Sequence, residues 1–102
     1  MTSTILESIS VEQRSALFSA LGDPIRLRIL DELSSGKVCV CSLQEAIEIA
    51  PNLLSYHLRV LREAELVVTT RRGRWIDYQL APTVAPTLRA SLPTGLRDDA
   101  IQ

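Results

Sequence analysis

The residues predict a mostly α-helical domain carrying one β-hairpin wing, and three observations predict it. Capping residues and prolines recur where short helices would open, and leucines and isoleucines recur between them at helical spacing. After Leu66 the period changes to alternation on either side of Arg71-Arg72-Gly73-Arg74.

Each element has its own signal. Ser10 with Gln13 three residues on reads as a capping box opening a first helix that carries Leu17 and Leu21 and ends at Gly22. Asp23-Pro24 then supplies an N-cap followed by proline at the first helical position. Ile25, Ile29, Leu30 and Leu33 line one side of this second helix, and Ser34-Ser35-Gly36 stops it. Residues 37–41 are small or β-branched, which fits a connector or brief strand. Ser42 and Glu45 form a further capping box, predicting a short helix from there to about Ile49.

Pro51 opens the next helix, predicted to run to about Ala64, with Leu54, Leu58 and Leu61 facing the core. Asn52, Ser55, Tyr56, Arg59 and Arg62 are left pointing outward. Residues 67–70 and 75–80 read as two strands joined by residues 71–74, where Gly73 supplies the positive φ of a tight turn. Trp75 and Tyr78 fall on opposite faces, so one of them packs on the core. Residues 83–92 make a last short helix with Pro86 in its first turn. The order is α-α-α-α-β-β-α, a winged helix-turn-helix. It is expected to occupy residues 1–96 as one domain, with residues 97–102 a frayed polar tail.

Composition is that of an ordinary globular domain: 102 residues, 46% apolar and 23% charged. With one Phe, one Trp and two Tyr, aliphatic side chains must build the core. The N-terminus lacks the basic and apolar regions of a signal peptide, and no apolar run approaches the ~20 residues of a membrane span. A cytoplasmic location without membrane contact is expected, with both cysteines kept as thiols. An enzyme is disfavoured, for there is no glycine-rich phosphate loop, no paired carboxylate site and no histidine beside a nucleophile. No enzymatic cofactor is expected.

The net charge of −1 conceals an uneven distribution. Before residue 55 acids outnumber bases, whereas residues 55–80 carry Arg59, Arg62, Arg71, Arg72 and Arg74 against Glu63, Glu65 and Asp77. A local basic footprint is what a DNA backbone senses. Asn52, Ser55 and Tyr56, near the start of the helix at Pro51, suit base edges in a major groove, and Arg59 and Arg62 suit phosphates. Arg71, Arg72 and Arg74 crowd like charges onto a turn, an arrangement relieved by an anion.

Four stretches resemble the ArsR family of bacterial metal-responsive repressors. Ala20-Leu-Gly-Asp-Pro-Ile-Arg-Leu-Arg-Ile-Leu30 is similar to its second-helix signature and Ser55-Tyr-His-Leu-Arg-Val-Leu-Arg-Glu-Ala64 to its recognition helix. Arg72-Gly-Arg-Trp-Ile-Asp-Tyr78 resembles its wing, and Val38-Cys-Val-Cys-Ser-Leu43 the cysteine motif of arsenical-sensing members. The resemblance covers residues 14–80. It implies a homodimer through the first and last helices, bound to double-stranded operator DNA. Ile5, Leu6, Ile9, Leu17, Leu80, Val84, Leu88 and Leu92 supply apolar surface for that interface. Three positions depart from the pattern. Glu65 stands where most members have glycine, Ala50 where a Ser or Thr would cap the recognition helix, and Gln44 where sensing members often carry a third cysteine.

Cys39 and Cys41 are the expected metal ligands. Thiolates are soft donors that select As(III), Sb(III), Cd(II) or Pb(II) over hard ions, and a nearby helix N-terminus lowers a thiol's pKa. Zn(II) and Cd(II) want about four ligands, so two sulfurs favour a trivalent metalloid, As(III) or Sb(III), as inducer. The last helix has no His, Asp or Glu, which excludes the interface zinc site of zinc-sensing relatives. Release from DNA by Cd or Pb or by thiol oxidation, and a winged-helix module that contacts protein without DNA, are the alternative readings. Binding of one metalloid to both sulfurs is expected to distort the helix turn at Ser42.

Overall fold

The computed structural model describes residues 9–97. Its elements follow the predicted order with one addition: helices α1 (Val11–Leu21) and α2 (Pro24–Glu32), strand β1 (Val38–Cys39), helices α3 (Val40–Ala46) and α4 (Pro51–Glu63), strands β2 (Val67–Arg72) and β3 (Trp75–Leu80), and helix α5 (Val84–Ser91). A single 3-10 turn, Thr94–Leu96, follows α5. The fold is a winged helix-turn-helix.

The first two helix starts form as the residues dictate. Ser10 Oγ accepts from the Gln13 N–H while Gln13 returns a bond to the Ser10 N–H, completing the capping box. Asp23 accepts from the N–H groups of Ile25 and Arg26 and caps α2. Ile29, Leu33, Leu43, Ile47, Leu54, Leu58, Leu61, Leu66 and Val67 form one buried cluster to which α2, α3, α4 and β2 all contribute. Tyr78 joins it from β3, and Trp75 stays on the outer face, as the strand alternation requires.

Two elements differ from the sequence expectation. The third helix opens at Val40 with Cys39 as its N-cap, not at Ser42. Residues 38 and 39 pair with Tyr78 and Asp77, and this places Cys39 in the extended conformation that a strand end and an N-cap share. Arg71 and Arg72 belong to β2 instead of the turn, because pairing continues to Arg72 opposite Trp75 and leaves only Gly73 and Arg74 between the strands. Gly73 takes φ 58°, as the two-residue connection demands.

The sheet order is β1-β3-β2, so the hairpin gains a third, two-residue edge strand. The hairpin base is closed by the Ala81 N–H donating to the Leu66 carbonyl at 3.0 Å. Arg97, assigned to the tail, donates to the carbonyls of Ala90 and Leu92 and so caps α5. Residues 98–102, and the expected interface residues Ile5 and Leu6, lie outside the described residues. Leu17 is buried in the chain's own core, whereas Ile9, Leu80, Val84, Leu88 and Leu92 remain half-buried.

The end of α4 shows how a missing glycine is tolerated. The Leu66 N–H reaches back to the Leu61 carbonyl and the Glu65 N–H to that of Arg62, both at 3.0 Å, the two bonds of a Schellman motif. That motif needs a left-handed residue, and Glu65 occupies it with φ 61°. A side chain there costs about 1 kcal/mol relative to glycine. Glu65→Gly is therefore expected to raise the unfolding free energy by up to ~1 kcal/mol, read from thermal or urea denaturation.

Candidate nucleic-acid interface and effector site

α4 starts without a side-chain cap. The Ala50 carbonyl takes the Leu53 and Leu54 N–H groups, and Pro51 at the first position presets φ. What holds the preceding turn is Gln44, whose amide donates to the Ile49 carbonyl at 2.6 Å. The residue standing where a third sulfur was looked for is thus occupied as a staple between α3 and the turn into α4.

With Leu54, His57, Leu58 and Leu61 turned inward, Asn52, Ser55, Tyr56, Arg59 and Arg62 are all exposed. Tyr56 is 46% exposed, and the Arg59 guanidinium lies 5.7 Å from its ring centre, a cation–π contact that orients the arginine. Ser55, Arg59 and Arg62 line a groove of about 420 Å³ whose opposite wall is Val40, Ile76 and Tyr78. The exposed face of α4, the first residue of α3 and the middle of β3 therefore share one surface.

A buried polar node fixes α4 to the helices before it. The Arg26 guanidinium donates to the carbonyls of Ala20 (2.7 Å) and Ser19 (3.2 Å) and to Nδ1 of His57 (2.9 Å). Arginine has no acceptor, so Nδ1 accepts and the ring proton sits at Nε2. His57 is only 5% exposed and its Nδ1 lies 4.0 Å from an Asp23 carboxylate oxygen. Burial opposes ionisation of Asp23. The N–H groups of Arg26 and Ile25, aided by the charge of Arg26, nonetheless hold its carboxyl below the usual carboxylate range. Asp23 was legible as a cap; the part played by Arg26 and His57 was not, because their bond joins residues 31 apart.

On the hairpin the three arginines separate in role. Arg72 makes a bidentate pair with Asp77, at 2.6 Å and 3.1 Å, while its guanidinium stays largely exposed. Arg71 reaches the Gly73 carbonyl at 3.4 Å. Arg74 stands in the turn beside Gly73. The expected crowding of three unrelieved charges is thus relieved at one of them by the protein's own carboxylate.

Cys39 and Cys41 are free thiols, the first half-buried and the second exposed. The Cys39 sulfur accepts from the Cys41 N–H at 3.3 Å and is the side-chain cap of α3. Among the described residues no group of three or more His, Cys, Asp and Glu side chains is placed to hold a metal ion. Two soft donors fit a three-coordinate metalloid that takes its last ligand from outside the protein, and do not fit a four-ligand zinc centre.

The Arg72 side-chain bond to Asp77 outweighs the effect of burial and, with the charges of Arg72 and Lys37, holds this carboxyl below the usual carboxylate range. A carboxyl so held contributes stability at neutral pH that disappears as pH falls through and below that range. Acid titration is expected to loosen the hairpin there, read from the fluorescence of Trp75, the sole tryptophan. Asp77→Asn should remove the transition; its persistence would assign the titration to another group.

Residues 23–69 match the sequence profile described as "Bacterial regulatory protein, arsR family". The chain is similar to the "Arsenical resistance operon repressor" of Staphylococcus xylosus, 40% identical over 71% of this chain and 69% of that protein. It is also similar to the "Transcriptional repressor SmtB homolog" of Synechocystis, 41% identical over 69% of this chain, although the match spans only 53% of that protein. Among solved structures, a "Possible transcriptional regulator for arsenical resistance" superposes with a TM-score of 0.71 at 32% identity, over 83% of this chain and 88% of that one. No helix among the described residues is long and apolar enough to cross a membrane. With the motif, the fold and these likenesses in agreement, the chain belongs to the ArsR family, a family of regulatory proteins and not of enzymes.

Proposed function

We propose that this chain is a transcriptional repressor that binds double-stranded operator DNA as a homodimer and is released when As(III) or Sb(III) binds Cys39 and Cys41. The observation that carries the reading is the position of the cysteine pair. Cys39 caps the first helix of the helix-turn-helix and Cys41 lies in that helix's first turn, while the neighbouring Val40 lines the groove shared with Ser55, Arg59 and Arg62. Arsenical repressors among the relatives support the class of inducer.

In the DNA-bound state α4 enters a major groove. Asn52, Ser55 and Tyr56 reach base edges, and Arg59 and Arg62 reach phosphates. Arg71 and Arg74 contact the backbone beside it, with Arg72 holding the hairpin's shape and presenting the exposed part of its guanidinium. Homodimerisation through α1 and α5 is supported by the groove of about 450 Å³ beside them, which Ile9, Ala16, Leu66 and Val84 line.

Binding of arsenite exchanges two of its hydroxyls for the two sulfurs, each thiol proton leaving with a hydroxide as water. Drawing the Cys39 sulfur toward that of Cys41 alters its bond to the Cys41 N–H and so weakens the side-chain cap of α3, by at most about 1 kcal/mol. A coupling of ~3 kcal/mol between the two sites would weaken operator affinity about 150-fold.

A gel shift on the chain's own upstream DNA, titrated with As(III), Sb(III), Cd(II), Zn(II) and peroxide, tests the reading. Release by the trivalent ions is expected, and Cys39→Ser and Cys41→Ser should bind DNA yet ignore arsenite. A parental response from both variants would place the sensor elsewhere, and release by peroxide alone would make this a thiol-oxidation switch. For the wing, Arg71→Ala and Arg74→Ala are each expected to lower the slope of log affinity against log salt by about 1. An unchanged slope in the double variant would remove the hairpin tip from the DNA interface.

A further inference from the structure

We propose that Asp77 is the positioning residue through which the cysteine pair governs the arginine wing, so that an effector on Cys39 loosens the hairpin as well as α3. The proposal rests on the reading of Cys39 and Cys41 as the effector site. It adds a second route from that site to DNA, one that runs through the sheet.

The register makes the link. Cys39 is the β1 partner of Asp77, and Asp77 is the β3 partner of Thr70 in β2. Partners in antiparallel strands share a face, so Cys39, Asp77 and Thr70 form one row across all three strands. Arg72 lies two residues along β2 from Thr70, hence on the same face, and reaches back to clasp Asp77 with both nitrogens. Trp75, directly opposite Arg72, completes the patch at the wing end. A continuous line of neighbours therefore runs from the cysteine to the hairpin tip on the face away from Tyr78.

The weak member of this line is β1. It contributes two residues, and one of them is also the N-cap of α3. Any movement of Cys39 that serves a new ligand on its sulfur must change both the cap and the pairing with Asp77. While β1 is seated, Asp77 is only 4% exposed and feels the charge of Lys37 from the same segment. The Arg72 side chain is 56% exposed, so the pair owes its hold to its bidentate geometry and to the shielding of its carboxylate, and a fully solvated pair is worth little. Displacing Cys39 exposes Asp77, weakens its hold on Arg72 and frees the end of β2 that carries Arg71.

Trp75 is 48% exposed and reports this patch. In the full-length protein, arsenite binding measured by equilibrium dialysis with elemental analysis should accompany a change in Trp75 emission of tens of per cent. In Asp77→Asn, arsenite should bind with the parental stoichiometry while Trp75 emission stays within a few per cent of its arsenite-free value. Arg72→Gln, which breaks the same pair from the other side, should behave alike and stands in if Asp77→Asn fails to fold. A parental Trp75 response in the variants, or a silent Trp75 in parental protein with arsenite bound, overturns the proposal. If arsenite does not bind the parental protein, the effector reading fails and a second arm decides the coupling. In Cys41→Ser protein, alkylation of Cys39 with iodoacetamide should shift Trp75 emission, and adding Asp77→Asn should abolish the shift. A shift that persists in the double variant, or none in Cys41→Ser itself, overturns the coupling.

Discussion

One guanidinium holds the helical half of the molecule in register. Arg26 sits in the first turn of α2, takes the carbonyls of Ser19 and Ala20 at the end of α1, and binds the buried ring of His57 in the middle of α4. Carbonyls at a helix end have no partner within the helix, and a buried ring nitrogen left bare is costly. All of these needs are met by one side chain, so the tilt of α4 is set by a point and not only by its leucine face. Apolar packing tolerates sliding; a forked set of hydrogen bonds does not. The surface that α4 offers to solvent inherits that fixity.

The sheet solves a different problem. A two-stranded hairpin is marginal alone in water, and here it projects a basic tip. Three devices hold it: the buried Tyr78 beneath, the third strand β1 at its edge, and the Arg72–Asp77 clasp across its outer face. Two of those devices converge on Asp77, and one of them brings Cys39 with it. The cysteine and the wing are joined because the two-residue strand β1 pairs beside the middle of β3.

How much of this was legible in the residues follows from the range of each interaction. Capping by Ser10 and Asp23, the inward leucines of α4 and the positive φ at Gly73 are local, and the residues spell them out. The left-handed Glu65 at the end of α4 was not legible, since a glutamate disfavours that conformation and only the bonds back to Leu61 and Arg62 impose it. The start of α3 was misplaced because Ser42 and Glu45 imitate a capping box, while the true cap depends on a strand pairing 38 residues away, between Cys39 and Asp77. Arg72 was read as a bare turn charge for a related reason: membership of a strand is decided by the partner opposite. The bond from Arg26 to His57 left no periodic trace at all.

The staple formed by Gln44 bears on what an exchange at that position would do. Its amide closes the turn between α3 and α4 by holding the Ile49 carbonyl. A cysteine at position 44 would offer a third sulfur, but it could not donate that bond with comparable strength. Such an exchange would trade the staple for a sulfur and loosen the turn that precedes α4. Ala50 supplies no side-chain cap that could compensate. A Ser or Thr at position 50 would supply such a cap, so positions 44 and 50 are linked through one turn.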